Sequence, residues 1–103
     1  MSVELRERYF ERREVRAAIA FAEAGGIAIH RNFDHYSGRI SVRGMTMTAP
    51  FLHVLGLRPA LVEWAARHRI PMQAIQPEGR RRVAHIDVWG DFAERLIRRL
   101  ALP

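Results

Sequence analysis

His85 and Asp87 are the residue pair in this sequence whose types and spacing most directly suggest chemistry. They lie two positions apart in Ala84 to Trp89, where apolar Ile86 and Val88 alternate with them. Because side chains alternate between the faces of a β-strand, the imidazole and the carboxylate are expected side by side on one face. A carboxylate next to an imidazole fixes its tautomer and raises its basicity, so this pair could act as an oriented base.

Other polar residues could complete such a site. The candidate catalytic residues are His85, Asp87, His53 and Gln76, and further conceivable metal ligands are His30, Asp34 and His35. The chain has no cysteine and no closely spaced set of histidines typical of zinc sites. The sequence therefore predicts no metal and no cofactor, and His53, which lies among apolar residues, is also consistent with an ordinary core histidine.

Charge points to a different class of partner. The formal net charge is +6, and all 17 basic residues are arginine. Arginine binds phosphate in a bidentate manner, and a basic domain attracts polyanions, so nucleic acid or another polyanion is the predicted partner. The alternative is that a GC-rich genome explains the arginines and that they pair with acidic residues on helix surfaces. The predicted nucleic-acid-binding residues are Arg58, Arg67, Arg80, Arg81 and Arg82.

The C-terminal half contains the elements that would hold these residues. A helix is predicted from Arg58 to Arg69, with Pro59 in its first turn and Ile70-Pro71 ending it. Met72 to Gln76 and Val83 to Trp89 are predicted to form a hairpin whose tip is basic. A closing helix is predicted over residues 91–100, with Asp91 as its N-cap.

The N-terminal half has a comparable order. A helical segment is predicted from Val3 to Ala24, either bent near Arg12-Arg13 or divided there into two helices, and Gly25-Gly26 ends it. Ile27 to Arg31 and Arg39 to Arg43 are predicted to be paired strands. The prediction is an α+β fold of order α-β-β-α-β-β-α, with a four-stranded, mostly antiparallel sheet and helices on one face. Residues 1–103 would form a single domain, with an αββ repeat in halves 1–44 and 57–90 before the closing helix.

Residues 46–100 carry a partial resemblance to the excisionase and MerR-type winged helix-turn-helix proteins. The matching positions are Leu55-Gly56, Val62, Trp64, Ile70-Pro71 and Gly79 to Arg82. The resemblance implies a recognition helix that places Arg58, Glu63 and Arg67 at the major groove and a basic wing that places Arg80 to Arg82 on phosphates.

Residues 53–100 also resemble a bacterial domain family of unknown function whose motifs follow the order H-L, F-A-A, F-Q and H-Y-D. The matching positions are His53-Val, Leu61-x-x-Trp64-Ala-Ala, Ile75-Gln76 and His85-Ile-Asp87. This resemblance implies a polar cluster of His53, Gln76, His85 and Asp87.

These observations favour a small basic nucleic-acid-binding or nucleic-acid-associated protein without catalysis. The alternatives are a small hydrolase that acts on a phosphate-containing substrate at His85 and Asp87, and a homo-oligomeric interaction module that dimerises through sheet edges and Trp89. The N-terminus has no signal-peptide pattern, and the longest uncharged run, Met45 to Leu57, is too short to cross a bilayer. A cytoplasmic location without membrane contact is therefore expected.

Overall fold

The computed structural model describes residues 5–31, 40–42, 45–47, 51–78 and 82–101. Within them, the strands are β1 (Glu7–Phe10), β2 (Ile27–Arg31), β3 (Ile40–Val42), β4 (Met45–Met47), β5 (Phe51–Gly56), β6 (Ile75–Gln76) and β7 (Ala84–Trp89). The helices are α1 (Val15–Glu23), α2 (Arg58–Arg67) and α3 (Gly90–Leu100), and a 3₁₀ turn covers Met72–Ala74. None of these helices is long and apolar enough to span a membrane.

The α+β class is confirmed, but the predicted sheet layout is wrong. Five strands form a mixed sheet in the order β1-β2-β5-β7-β6, in which β1 and β2 are parallel and the other neighbours are antiparallel. β3 and β4 pair with each other in a separate two-stranded sheet. Helices cover both faces of the large sheet, since α2 and α3 belong to one apolar cluster and α1 belongs to the other.

The first correction concerns the N-terminal segment, where a strand and a shorter helix replace the predicted helix from Val3 to Ala24. β1 precedes α1, and the two form a parallel strand–helix–strand unit with β2. The four-residue spacing of Glu4 and Arg8 suggested a helix, but Phe10 is 2% exposed because it packs between α1 and the sheet. Burial of this kind overrides weak local helix propensity. The predicted end of the helix is confirmed, and Gly25 there has a φ of +104°.

The second correction concerns β5, a strand that the predicted order of elements does not contain. Its residues alternate, with Leu52 and Val54 fully buried and His53 and Leu55 partly exposed. β5 pairs antiparallel with both β2 and β7. The strand predicted beside β2 was Arg39 to Arg43, so β5 occupies the position predicted for that strand. The predicted repeat is consequently not seen in the fold, because β7 lies inside the large sheet and β3 does not.

The C-terminal elements follow the prediction more closely. α2 and the antiparallel β6–β7 hairpin are confirmed. The first hairpin strand is shorter than predicted, because the 3₁₀ turn precedes it and takes the place of its first three residues. The closing helix begins at Gly90, and Trp89, not Asp91, is its N-cap. Asp91 instead lies in the first helical turn, where a negative charge interacts favourably with the helix dipole.

Glu7 connects three elements on the α2 and α3 side of the sheet. Its carboxylate accepts a hydrogen bond from Trp64 Nε1 of α2 at 2.8 Å and two from Arg99 of α3 at 2.9 and 3.0 Å. The hydrogen bond from Arg99 lowers the pKa of Glu7 below the ordinary value of 4.5, and the Trp64 hydrogen bond adds to this effect while partial burial opposes it. The interaction therefore stabilises the fold while Glu7 is ionised.

We expect Glu7→Gln to reduce the free energy of unfolding at pH 7 by about 1 kcal/mol, because charge-assisted hydrogen bonds are lost. The loss is no larger because Arg99 is partly exposed and solvent screens its interaction with Glu7. A carboxylate whose pKa is lowered by folding stabilises the protein above its unfolded pKa, and this stability is lost as the pH falls through the folded pKa. The difference between the two proteins in urea denaturation should therefore shrink below pH 4.5.

Glu63→Gln is the matched control, because Glu63 pairs with Arg67 in an exposed pair of the same helix. Such pairs contribute about 0–1 kcal/mol, so a small effect is expected. An equal loss in both variants, or a Glu7→Gln effect independent of pH, would contradict this assignment.

Candidate polar site on the sheet

The pairing of three strands brings the polar residues together. β2 and β5 pair with His30 opposite His53, and β5 and β7 pair with His53 opposite Asp87. Residues directly opposite each other in an antiparallel pair project from the same face of the sheet. His30, His53 and Asp87 therefore form a row across the sheet, and His85 lies on the same face, two residues before Asp87.

His53, His85 and Asp87 are in contact, and we call these three residues the polar site. His53 Nε2 lies 3.2 Å from Asp87 Oδ1, and His85 Nε2 lies 3.6 Å from the same oxygen. The two imidazole rings are 5.0 Å apart between centroids. The side chains of His53, His85 and Asp87 are 29%, 33% and 27% exposed, so each is partly accessible.

Asp87 Oδ1 is itself buried, and no residue of the described ranges forms a hydrogen bond with it. The contacts at 3.2 and 3.6 Å thus bring the imidazole nitrogens close without directional hydrogen-bond geometry. One ligand atom from each residue of the polar site lies within 4.8 Å of the others, so the three side chains could hold a metal ion.

His53 and His30, which lie opposite each other on β5 and β2, differ in their surroundings. Burial lowers the pKa of His53 from 6.5 to about 4, because the opposing effect of the Asp87 charge is smaller and His85 and His30 lower it further. His53 is therefore neutral at neutral pH. His30 is 6% exposed, and its Nε2 donates to the carbonyl oxygen of Arg12 at 2.9 Å, since a carbonyl can only accept.

A cleft gives access to the polar site. Its volume is about 310 Å³, and it lies between α1 and the sheet. The lining residues are Val15, Ile19, His30, His53, Leu55, Glu78, Val83 and His85. Aliphatic side chains that surround a few polar groups are typical of small-ligand sites.

The structure brings together His53, His85 and Asp87, and it places Gln76 opposite His85 across the β6–β7 pair. Asp34 and His35 lie outside the described residues. The sequence suggested His53 as a core histidine because β5 was not recognised as a strand. The alternation of Leu52, His53 and Val54 was the signal that could have identified it.

The structure describes three of the five predicted nucleic-acid-binding arginines. Arg58 Nε and Nη2 donate to Glu78 at 3.1 and 2.7 Å, and Arg67 Nε donates to Glu63 at 3.2 Å. Arg82 is exposed, whereas Arg80 and Arg81 lie outside the described residues.

Comparison with known proteins gave no match, either to a protein-family model, to a curated protein or to a solved structure.

Proposed function

We propose that this chain is a small hydrolase that acts on a phosphate-containing substrate at the polar site. The observation that carries the proposal is the contact of two imidazoles with one carboxylate oxygen beside the cleft. Titratable residues that meet beside a cleft are candidates for acid–base chemistry.

The reaction needs only water as its second reactant. A water molecule bound at the polar site passes a proton to bulk solvent as its oxygen forms a bond to phosphorus. The bond between phosphorus and the leaving oxygen breaks, and its electron pair stays on that oxygen, which then takes up a proton. The products are a phosphate, or a phosphate monoester from a diester, and an alcohol.

Two features support phosphate as the substrate class. The chain carries a net charge of +6, which concentrates anions around it. Arg82 is exposed and directly precedes Val83, a residue that lines the cleft. The cleft volume of about 310 Å³ is near the lower end of the range for small-ligand pockets, about 300–1,000 Å³. A compact phosphate ester is therefore a better fit than a large cofactor.

We expect the purified protein to hydrolyse an activated aryl phosphate monoester or diester, and His85→Ala to reduce the rate by about 100-fold or more, because the polar site loses one of the groups that activate the attacking water. Product release monitored by absorbance measures this. His68→Ala is the control, because His68 packs against Trp64 and Phe92 and not in the cleft. Full activity of His85→Ala, with His68→Ala unchanged, would exclude a catalytic role for His85.

Nucleic-acid binding is a second candidate, favoured by the arginines. The ion pairs of Arg58 with Glu78 and Arg67 with Glu63 are exposed. Exposed ion pairs contribute little to stability because solvent screens them, so phosphate could replace the carboxylates at small cost. Together with Arg80, Arg81 and Arg82, these arginines would contact phosphates without reading base sequence.

For this candidate, replacing Arg80, Arg81 and Arg82 by alanine should weaken binding to DNA or RNA and reduce the slope of log affinity against log salt by up to about three. Fluorescence anisotropy across a salt series measures the slope. The double variant Arg95→Ala/Arg98→Ala on α3 is the control and should change it less. His85→Ala should leave the slope unchanged, which separates binding from hydrolysis. An unchanged slope in the triple variant would exclude the assignment.

A further inference from the structure

The unsatisfied carboxylate oxygen of the polar site requires an explanation. Asp87 Oδ1 is buried, and no described residue hydrogen-bonds to it, although two imidazole nitrogens lie at 3.2 and 3.6 Å. Buried charged groups are unfavourable unless they are paired, hydrogen-bonded or coordinated to a metal. Two imidazole nitrogens beside one carboxylate oxygen form a donor set that can bind a cation.

The distances match the spacing of ligands around a small ion. In tetrahedral zinc sites the metal lies about 2.0–2.1 Å from nitrogen and about 2.0–2.2 Å from oxygen, so ligand atoms are roughly 3.3–3.6 Å apart. The two nitrogen–oxygen distances, 3.2 and 3.6 Å, are close to these values. One ligand atom from each residue lies within 4.8 Å of the others, so small side-chain movements would bring all three atoms onto one ion, whose bonds are about 2.0–2.2 Å long.

We propose that His53 and His85, together with Asp87, bind one divalent first-row transition-metal ion, and we take zinc as the test ion because two histidines and one carboxylate form catalytic zinc sites. The donor set is two imidazole nitrogens and one carboxylate oxygen. Magnesium and calcium prefer sites made of oxygen alone, and soft ions prefer thiolates, which a chain without cysteine cannot offer.

Three protein ligands leave a coordination position for another molecule. Structural zinc sites usually have four protein ligands, whereas catalytic sites have three and bind water or substrate at the fourth position. His53 and His85 both line the cleft, so the remaining position can face it. His30 lies opposite His53 in the β2–β5 pair, next to the three proposed ligands. Its Nε2 donates a hydrogen bond to the carbonyl oxygen of Arg12.

The ion would supply the water activation that hydrolysis needs. A water bound to zinc has a pKa of about 7, so hydroxide forms near neutral pH and its proton passes to solvent. This role for the ion rests on the proposed function, whereas binding of the ion does not. The two claims can therefore fail separately.

The test is calorimetric titration of Zn²⁺ into the untagged full chain after treatment with a chelator and its removal. We expect one equivalent to bind, with affinity at least 100-fold weaker in His53→Ala, His85→Ala and Asp87→Asn. Asp87→Asn preserves shape, so thermal unfolding of that variant without metal checks that the fold is intact. Zn²⁺ should raise the melting temperature of the wild-type protein but not that of Asp87→Asn.

His68→Ala is the control for incidental histidine binding and should keep wild-type affinity, and Mg²⁺ should not compete with Zn²⁺. Absence of stoichiometric Zn²⁺ binding, or unchanged affinity in both His85→Ala and a folded Asp87→Asn, would overturn the inference. Zinc binding without hydrolysis would leave the metal site standing and refute the proposed function. Hydrolysis that resists chelators, without zinc binding, would do the reverse.

Discussion

The antiparallel pairing of β5 with β7 is the constraint on which the rest of the structure depends. The same register that places His53 opposite Asp87 also places Leu52 opposite Val88 and Val54 opposite Ile86. Because side chains alternate with a period of two, a slip of one residue would expose the apolar set and bury the polar one. Burial of the apolar residues against α2 and α3 therefore fixes the register, and the register in turn assembles the polar site.

The two faces of the large sheet differ in the helices that cover them and in their polar residues. One face is covered by two helices, and Glu7 ties β1 to both of them through Trp64 and Arg99. The other face is covered by one short helix, α1, which packs small residues such as Ala18 and Ala22 onto β2. Cover by a single helix leaves a cleft beside α1, and His53 of β5 and His85 of β7 line this cleft. A site built on paired strands is held more rigidly than one built on loops.

The sequence predicted the local parts of this arrangement better than the assembly. Alternation in Ala84 to Trp89 was sufficient to place His85 and Asp87 on one face, and Pro59 with Ile70-Pro71 was sufficient to bound α2. β1 was missed because four residues of strand beside a helix carry little periodic signal, and parallel pairing with β2 is decided by contacts distant in sequence. His53 was a predicted candidate for the site, but its position opposite Asp87 could be predicted only if β5 was recognised as a strand. The burial of Asp87 Oδ1 without a hydrogen bond from a described residue could not be predicted from the sequence, because burial of a single atom is a property of the packed structure.

The central claim is that strand register creates a cation site from His53, His85 and Asp87. A crystal structure of the protein grown with zinc, with anomalous diffraction recorded on both sides of the zinc absorption edge, tests it most directly. The account predicts a single strong anomalous peak about 2.0–2.2 Å from the imidazole nitrogens and from Asp87 Oδ1. Zinc bound elsewhere, or His53 and Asp87 found on opposite faces of the sheet, would contradict it.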